Sequence, residues 1–148
     1  MPYHLLDLDK VLALTKEERA YMAGLFDGEG CVSLSTVNTD QRLCVVTISQ
    51  KRMAVLTWFH EVFGGSLFVR RKMQRQETRL GVWSLGDADS IRVFHRVVKP
   101  YLRIKAEEFE LVVAYLNSPE TSPESLQKTM HNVRNVRNNQ NHLLVVGE

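Results

Sequence analysis

Tyr21-Met22-Ala23-Gly24-Leu25-Phe26-Asp27-Gly28-Glu29-Gly30 is the stretch from which the fold is read. It begins as a helix. Thr15 is placed to cap it, with Glu18 three residues on, the spacing of a capping box. Ala20, Gly24 and Gly28 recur every fourth residue and form one smooth ridge. Tyr21, Met22, Leu25 and Phe26 are expected on the core side. A ridge without side chains lets another backbone approach closely, although each Gly costs about 1 kcal/mol against Ala in a helix. Asp27 and Glu29 fall where the helix must end, and a carboxylate there opposes the helix dipole. Such a local conflict tends to mark function.

After Gly30 the period changes to two. Val32, Leu34 and Thr36 alternate with Ser33, Ser35 and Val37, and Cys44, Val46 and Ile48 with Leu43, Val45 and Thr47, so two strands pair as an antiparallel hairpin around 38–40. Val55, Leu56, Phe59, Val62 and Phe63 return to helical spacing, and Gly64-Gly65 stops that helix. A second hairpin is predicted with strands over 66–74 and 78–85. Asp87 or Asp89 caps a third helix, which Pro100 breaks. A fourth is predicted over 104–117, and a fifth from Pro123 through Leu126, Met130 and Val133. From Asn135 the Asn-rich chain reads as a frayed tail.

The order helix, hairpin, helix, hairpin, helices is an α+β pattern: a four-stranded antiparallel sheet with helices on one face and the other left for solvent or ligand. One domain over 15–136 is expected, preceded by an apolar arm or short helix over 1–14 and followed by a tail over 137–148. With 148 residues, 44% hydrophobic and 24% charged, the chain can bury a real core. A net charge of +2 does not by itself announce nucleic acid, so the distribution of charge must carry that argument. Cys31 and Cys44 fall in apolar runs and are expected to be core thiols of an intracellular protein. No signal peptide and no membrane span is expected.

Between Arg70 and Arg79 lie five basic residues, Arg70, Arg71, Lys72, Arg75 and Arg79, with Gln74 and Gln76 among them. A charged hairpin tip that guards a sheet edge would look the same. A strand-period basic stripe with amides also suits a β-ribbon in a DNA major groove, where Arg and Lys favour guanine and Gln favours adenine.

The segment Met22 through Gly30, M-A-G-L-F-D-G-E-G, resembles the signature helix of the LAGLIDADG homing endonucleases, and its ending G-L-F-D-G-E-G is the specific part. The resemblance extends over nearly the whole chain after the arm and is closest to the single-motif, homodimeric branch. Pro100-Tyr101-Leu102-Arg103-Ile104-Lys105 is similar to that branch's proline-to-lysine run, and Ser122-Pro123 with Leu126 and the Val133–Val136 pair to its terminal helix. It implies an αββαββα fold with a saddle-shaped sheet. It also implies site-specific, divalent-metal-dependent cleavage of double-stranded DNA, encoded within an intron or intein. A splicing maturase, with intron RNA as partner, and a non-catalytic DNA-binding regulator share the fold. An intact Glu29 with Gln50 and Lys105 favours the nuclease.

By resemblance Glu29 is the metal-binding acid and the Gly28 carbonyl a second ligand, for Mg²⁺, with Mn²⁺ or Ca²⁺ able to occupy the same site. Mg²⁺ usually takes only one or two carboxylates plus substrate phosphate, which one Glu per subunit suits. Gln50, in the pair Gln50-Lys51, is implied to orient attacking water, and Lys105 to stabilise charge on the phosphate. The family's rim arginine has no counterpart near Ala54; Lys51 and Arg52 are the nearby cations. Asp27 is expected to bond backbone amides. Cutting both strands takes two acids near the duplex dyad, so one motif per chain predicts a C2 homodimer joined along Ala20, Gly24, Asp27 and Gly28. The groove-facing positions are expected to be Ser33, Ser35, Val37 and Thr39 from the first strand, Gln41, Leu43, Val45 and Thr47 from the second, and Arg70, Lys72 and Gln74 from the third. In the fourth strand Arg79 competes with Leu80 for that face. A strand of about eight residues spans roughly 27 Å, or about eight base pairs of a pseudo-palindromic site.

Overall fold

The computed structural model describes residues 4–38, 41–70, 80–118 and 123–146, and for 35–38, 41–43, 123 and 137–146 the backbone alone. Thr15 and Glu18 start the central helix, α2 (Lys16–Glu29), as their spacing predicts. The Thr15 hydroxyl accepts from the Glu18 N–H at 3.1 Å, and the Glu18 carboxylate from the Thr15 N–H at 3.0 Å. Met22, Ala23 and Phe26 are fully buried on one stripe, whereas Tyr21, expected in the core, is turned outward beside Trp58. At about 100° per residue, a stripe centred on Met22 and Phe26 carries Ala23, and Tyr21 falls off its edge.

Before α2, Asp7 caps the short helix α1 (Leu8–Ala13), whose Val11 and Leu14 plug into the core, and His4 pairs with Gly65. After it come β1 (Gly30–Asn38), β2 (Gln41–Gln50), α3 (Met53–Phe63), β3 (Ser66–Val69), β4 (Gly81–Leu85) and α4 (Ala88–Val98). A 3-10 turn at Lys99–Tyr101, with Pro100 inside it, separates α4 from α5 (Ala106–Asn117), and α6 (Pro123–Val146) follows. Gly64 and Gly65 both hold positive φ, 77° and 86°, where L side chains are strained. Asp87 caps α4 by accepting from the Ser90 N–H.

The four strands form one antiparallel sheet in the order β1-β2-β4-β3. The αββαββα succession of the central elements matches the predicted α+β pattern. Val32, Cys44, Val46, Ile48, Leu67, Trp83 and Leu85 point to the inner face, which the helices cover. Phe26, Phe59, Phe63, Trp83, Phe94 and Phe109 pack edge-on and tilted there; Phe63 and Phe94 have ring centroids 4.9 Å apart. Burying each such ring contributes about 1.5–3 kcal/mol. The Trp83 indole N–H donates to the Gly64 carbonyl at 2.9 Å, so the core ties the α3 stop to β4.

Three further expectations change. The helix predicted from Ile104 starts at Ala106, because the N–H groups of 103–105 are held by Asp27. The tail predicted over 137–148 is instead a continuation of α6 to Val146. Asn costs a fraction of a kcal/mol per helical position, and no Gly or Pro interrupts the run after Pro123 until Gly147. Cys31 is exposed and only Cys44 is buried, since strict alternation puts Cys31 opposite Val32 in facing. Burial pushes the Cys44 thiol up to about 11, so it behaves as an inert core residue. Among the described residues, no helix is long and apolar enough to cross a membrane.

Candidate active site and nucleic-acid interface

The last turn of α2 places three candidate site groups by simple helix geometry. Gly28 and Glu29 are exposed, and Asp27 is 9% exposed. Gly30 closes the helix, its N–H donating to the Phe26 carbonyl. No larger residue fits at Gly30: a Cβ would lie 2.2 Å from the Phe26 ring. Glu29 is therefore fixed at the junction where helix becomes strand.

Asp27 turns its carboxylate into its own chain. Oδ2 accepts from the Arg103 N–H at 2.8 Å, and Oδ1 from the N–H groups of Ile104 and Lys105 at 3.1 and 3.0 Å. Three donors converging on one carboxylate fold the 103–105 turn onto the end of α2. The turn delivers Lys105, whose ammonium donates to the carbonyls of Phe26, at 3.4 Å, and Gly30. Nζ also lies 5.9 Å from the Phe26 ring centroid. A cation on the terminal carbonyls offsets the negative end of the helix dipole. The conflict seen in the sequence is thus resolved 75 residues away: Lys105 neutralises what Asp27 and Glu29 aggravate.

Gln50 ends β2. Because Gly30 pairs with Ile48, Glu29 and Gln50 come to the same end of the β1/β2 pair. The Gln50 Oε1 accepts from the N–H groups of Lys51 and Arg52, at 2.8 and 3.3 Å, which fixes the amide plane and leaves Nε2 to donate. Lys51, Arg52 and Ala54 are all exposed beside it. The donors at this corner are hard oxygens: the Glu29 carboxylate and the terminal carbonyls of α2, which lack helical partners. That set fits a Mg²⁺-type ion. Among the described residues, no group of three or more His, Cys, Asp or Glu gathers anywhere.

The outer face of the sheet runs away from this corner. Ser33 lies opposite Val45 on that face, and the backbone register continues with Ser35 paired to Leu43; Thr47 stands beside Cys31 and Ser84. The expected uniform alternation breaks at its end. The register shifts between Thr36 and Asn38, so Asn38, not Val37, lies opposite Gln41, the signature of one extra residue in the strand. Arg70 is exposed, and its N–H donates to the Leu80 carbonyl at 2.8 Å, continuing the β3/β4 ladder past Val69. Thr39, Lys72, Gln74 and Arg79 lie outside the described residues. Cys31, Ser49, Ser66, Phe68, Val82 and Ser84 also occupy the outer face and were not singled out in the sequence; counting by twos from Leu67 and Trp83 finds most of them.

Ala20, Gly24 and Asp27 line one wall of a groove whose other wall is Pro100–Arg103. A Cβ added at Gly24 or Gly28 would meet nothing within 4 Å. Arg134 on α6 is another residue the sequence did not expose. Its Nε donates to buried Glu108 at 2.8 Å and its Nη2 to the Val32 carbonyl at 2.7 Å, bracing the start of β1.

Solved structures share this fold. The archaeal intron-encoded homing endonuclease I-Vdi141I, in complex with DNA, superposes with a TM-score of 0.63 at 17% identity, over 80% of this chain and 83% of its own. The homing endonuclease I-CvuI, on DNA that is not cleaved in the presence of magnesium, gives 0.57 at 18% identity, over 89% and 83%. The LAGLIDADG meganuclease I-AabMI, bound to uncleaved DNA, gives 0.55 at 20% identity, over 74% of this chain but 41% of its own. This is the LAGLIDADG fold. No family model and no curated protein matches the sequence. Within the LAGLIDADG fold, Met22–Glu29 forms the end of the central helix α2, and Gly30 opens β1, where the open sheet face begins.

Proposed function

We propose that the chain is a homing endonuclease of the LAGLIDADG family. As a homodimer it binds a long pseudo-palindromic DNA site and makes a divalent-metal-dependent double-strand break. One observation carries the reading. The exposed Glu29 carboxylate, the anchored Lys105 ammonium and the end of Gln50's strand share one corner, at the start of an otherwise open sheet face.

In this reading Glu29 and the Gly28 carbonyl hold the ion, which when bound supplies phosphate polarisation and acidified water. Lys105 keeps positive charge at the corner toward which a scissile phosphate would be drawn. Gln50 presents an amide whose rotation is locked by Lys51 and Arg52. Asp27 is a positioning residue, acting on the site through the 103–105 turn.

Dimerisation follows from the glycines. Among the described residues, a Cβ at Gly24 or Gly28 meets nothing within 4 Å, yet each Gly costs about 1 kcal/mol in a helix. A second copy of α2, packed backbone to backbone along Ala20, Gly24 and Gly28, requires them. That isologous contact brings two Glu29 residues to one axis.

The test is incubation of the protein with Mg²⁺ and a library of duplexes carrying palindromic cores. Double-strand breaks with short 3′ overhangs are expected, abolished by chelation and by Glu29→Gln, while Glu29→Gln still binds. Undiminished cleavage by Glu29→Gln would remove Glu29 from the site; tight binding with no cleavage under any divalent ion would leave a DNA-binding regulator.

A further inference from the structure

Phe68 is out of place. Its neighbour Leu67 is fully buried in the core opposite Trp83, so alternation puts Phe68 on the outer face of the sheet, where it is 47% exposed. It pairs with Val82, which in turn pairs with Ser49. Val82 is 2% exposed yet stands outside the inner core cluster, so Phe68 and Val82 form a small apolar island on the outer face. Around it the outer face is short and polar: Ser66 and Ser84 in the next row toward β3's start, Thr47 beyond them. Arg70 follows two residues later on the same strand face. Short side chains let a duplex come close, and a large ring rising from among them reaches the groove floor first.

We propose that Phe68 is a specificity-determining residue that reads thymine through its 5-methyl group. The inference rests on the proposed DNA-binding function and adds to it. The major groove offers few apolar features; the thymine methyl is the one that distinguishes bases, and Phe suits it. A ring with no hydrogen-bonding atom gains nothing from the exposed edges of guanine, cytosine or adenine. The A-form major groove of duplex RNA is too deep and narrow for such a contact, which favours DNA as the partner. The contact has a place. Val69 pairs with Gly81 and Gly81 with Gln50, so Phe68 lies one row from Gln50 and two strands across. Two strand spacings are about 10 Å, which is about three base-pair rises at most. The thymine therefore lies within about three base pairs of the step facing Gln50, once in each half-site.

Selection from a random duplex library, with wild type and Phe68→Ala in parallel, tests this. Wild type is expected to enrich thymine at one symmetric pair of positions close to the cleavage steps. Phe68→Ala should lose that preference and keep the rest of the consensus. Replacing that thymine by deoxyuridine deletes only the methyl. For wild type it should weaken binding about fourfold per half-site, the worth of one buried methyl group; for Phe68→Ala it should change nothing. The deoxyuridine arm needs no variant, so a folding defect in Phe68→Ala cannot mask the result. Thymine preference surviving in Phe68→Ala, or indifference of wild type to deoxyuridine, overturns the role of Phe68 while leaving the nuclease reading intact. Failure to enrich any duplex, with RNA bound instead, overturns both.

Discussion

Replacing Asp27 by Asn, a side chain of nearly the same shape, should uncouple the candidate active-site corner. Asp27 accepts three backbone N–H groups with two oxygens. Asn keeps one acceptor oxygen. If that oxygen stays on Ile104 and Lys105, Nδ2 faces the Arg103 N–H, donor against donor. One charge-assisted bond is lost, worth about 1.5–3 kcal/mol, and the remaining two fall to neutral strength. A total of about 2–4 kcal/mol follows, discounted for the part-buried site. For a domain of this size that is a drop of roughly 5–15 °C in Tm. Cleavage should fall further than stability explains, because the released turn carries Lys105 away from the carbonyls of Phe26 and Gly30. Urea denaturation and single-turnover cleavage of one duplex, measured on the same preparations below the Tm of both proteins, separate the two effects. A Tm within 1 °C of wild type, or a normal cleavage rate, would refute Asp27 as the clasp of the 103–105 turn.

Other outcomes follow from the same geometry. Gly24→Leu should fold normally, since a Cβ there meets nothing within 4 Å among the described residues, and should sediment as a monomer that binds a half-site weakly; a dimeric, cutting Gly24→Leu would move the seam elsewhere. His95 is buried, its Nε2 3.3 Å from Glu110 with Lys99 on the same carboxylate, and burial holds its pKa below the ordinary value despite Glu110. The unfolded chain therefore takes up a proton near pH ~6.5 that the folded chain refuses. Stability should fall as pH drops below about 6.5, and His95→Gln should flatten that slope in denaturation midpoints taken between about pH 7.5 and 5.

Much of this fold was legible because local chemistry and tertiary packing agree. Thr15 and Glu18, Asp87, Gly64-Gly65 and Pro100 act within a few residues of themselves, and the alternation of Cys44, Val46 and Ile48 fixes a face without knowledge of its partner strand. What the sequence hid is long-range or cumulative. The start of α5 depends on Asp27, which is 77 residues from Ile104. Arg134 meets Val32 across 102 residues, with no local pattern to announce it. The continuation of α6 depends on many small propensities, none of which marks an end until Gly147. Cys31 misled because residue type was weighed above parity. At the candidate site, the place of Glu29 where α2 ends was visible from its motif, and the anchoring of Lys105 on α2 was not, since a lysine's partners are set by the turn that carries it.

The central claim is that each of two chains contributes one Glu29, and that each Glu29 serves one DNA strand. A mixed dimer tests it: wild type and Glu29→Gln carrying different affinity tags, purified through both, then added with Mg²⁺ to a supercoiled plasmid bearing the selected site. The account predicts nicked circles with the break at the site on one strand, against linear product from wild type and intact plasmid from Glu29→Gln. Linear product from the mixed dimer at the wild-type rate would contradict it.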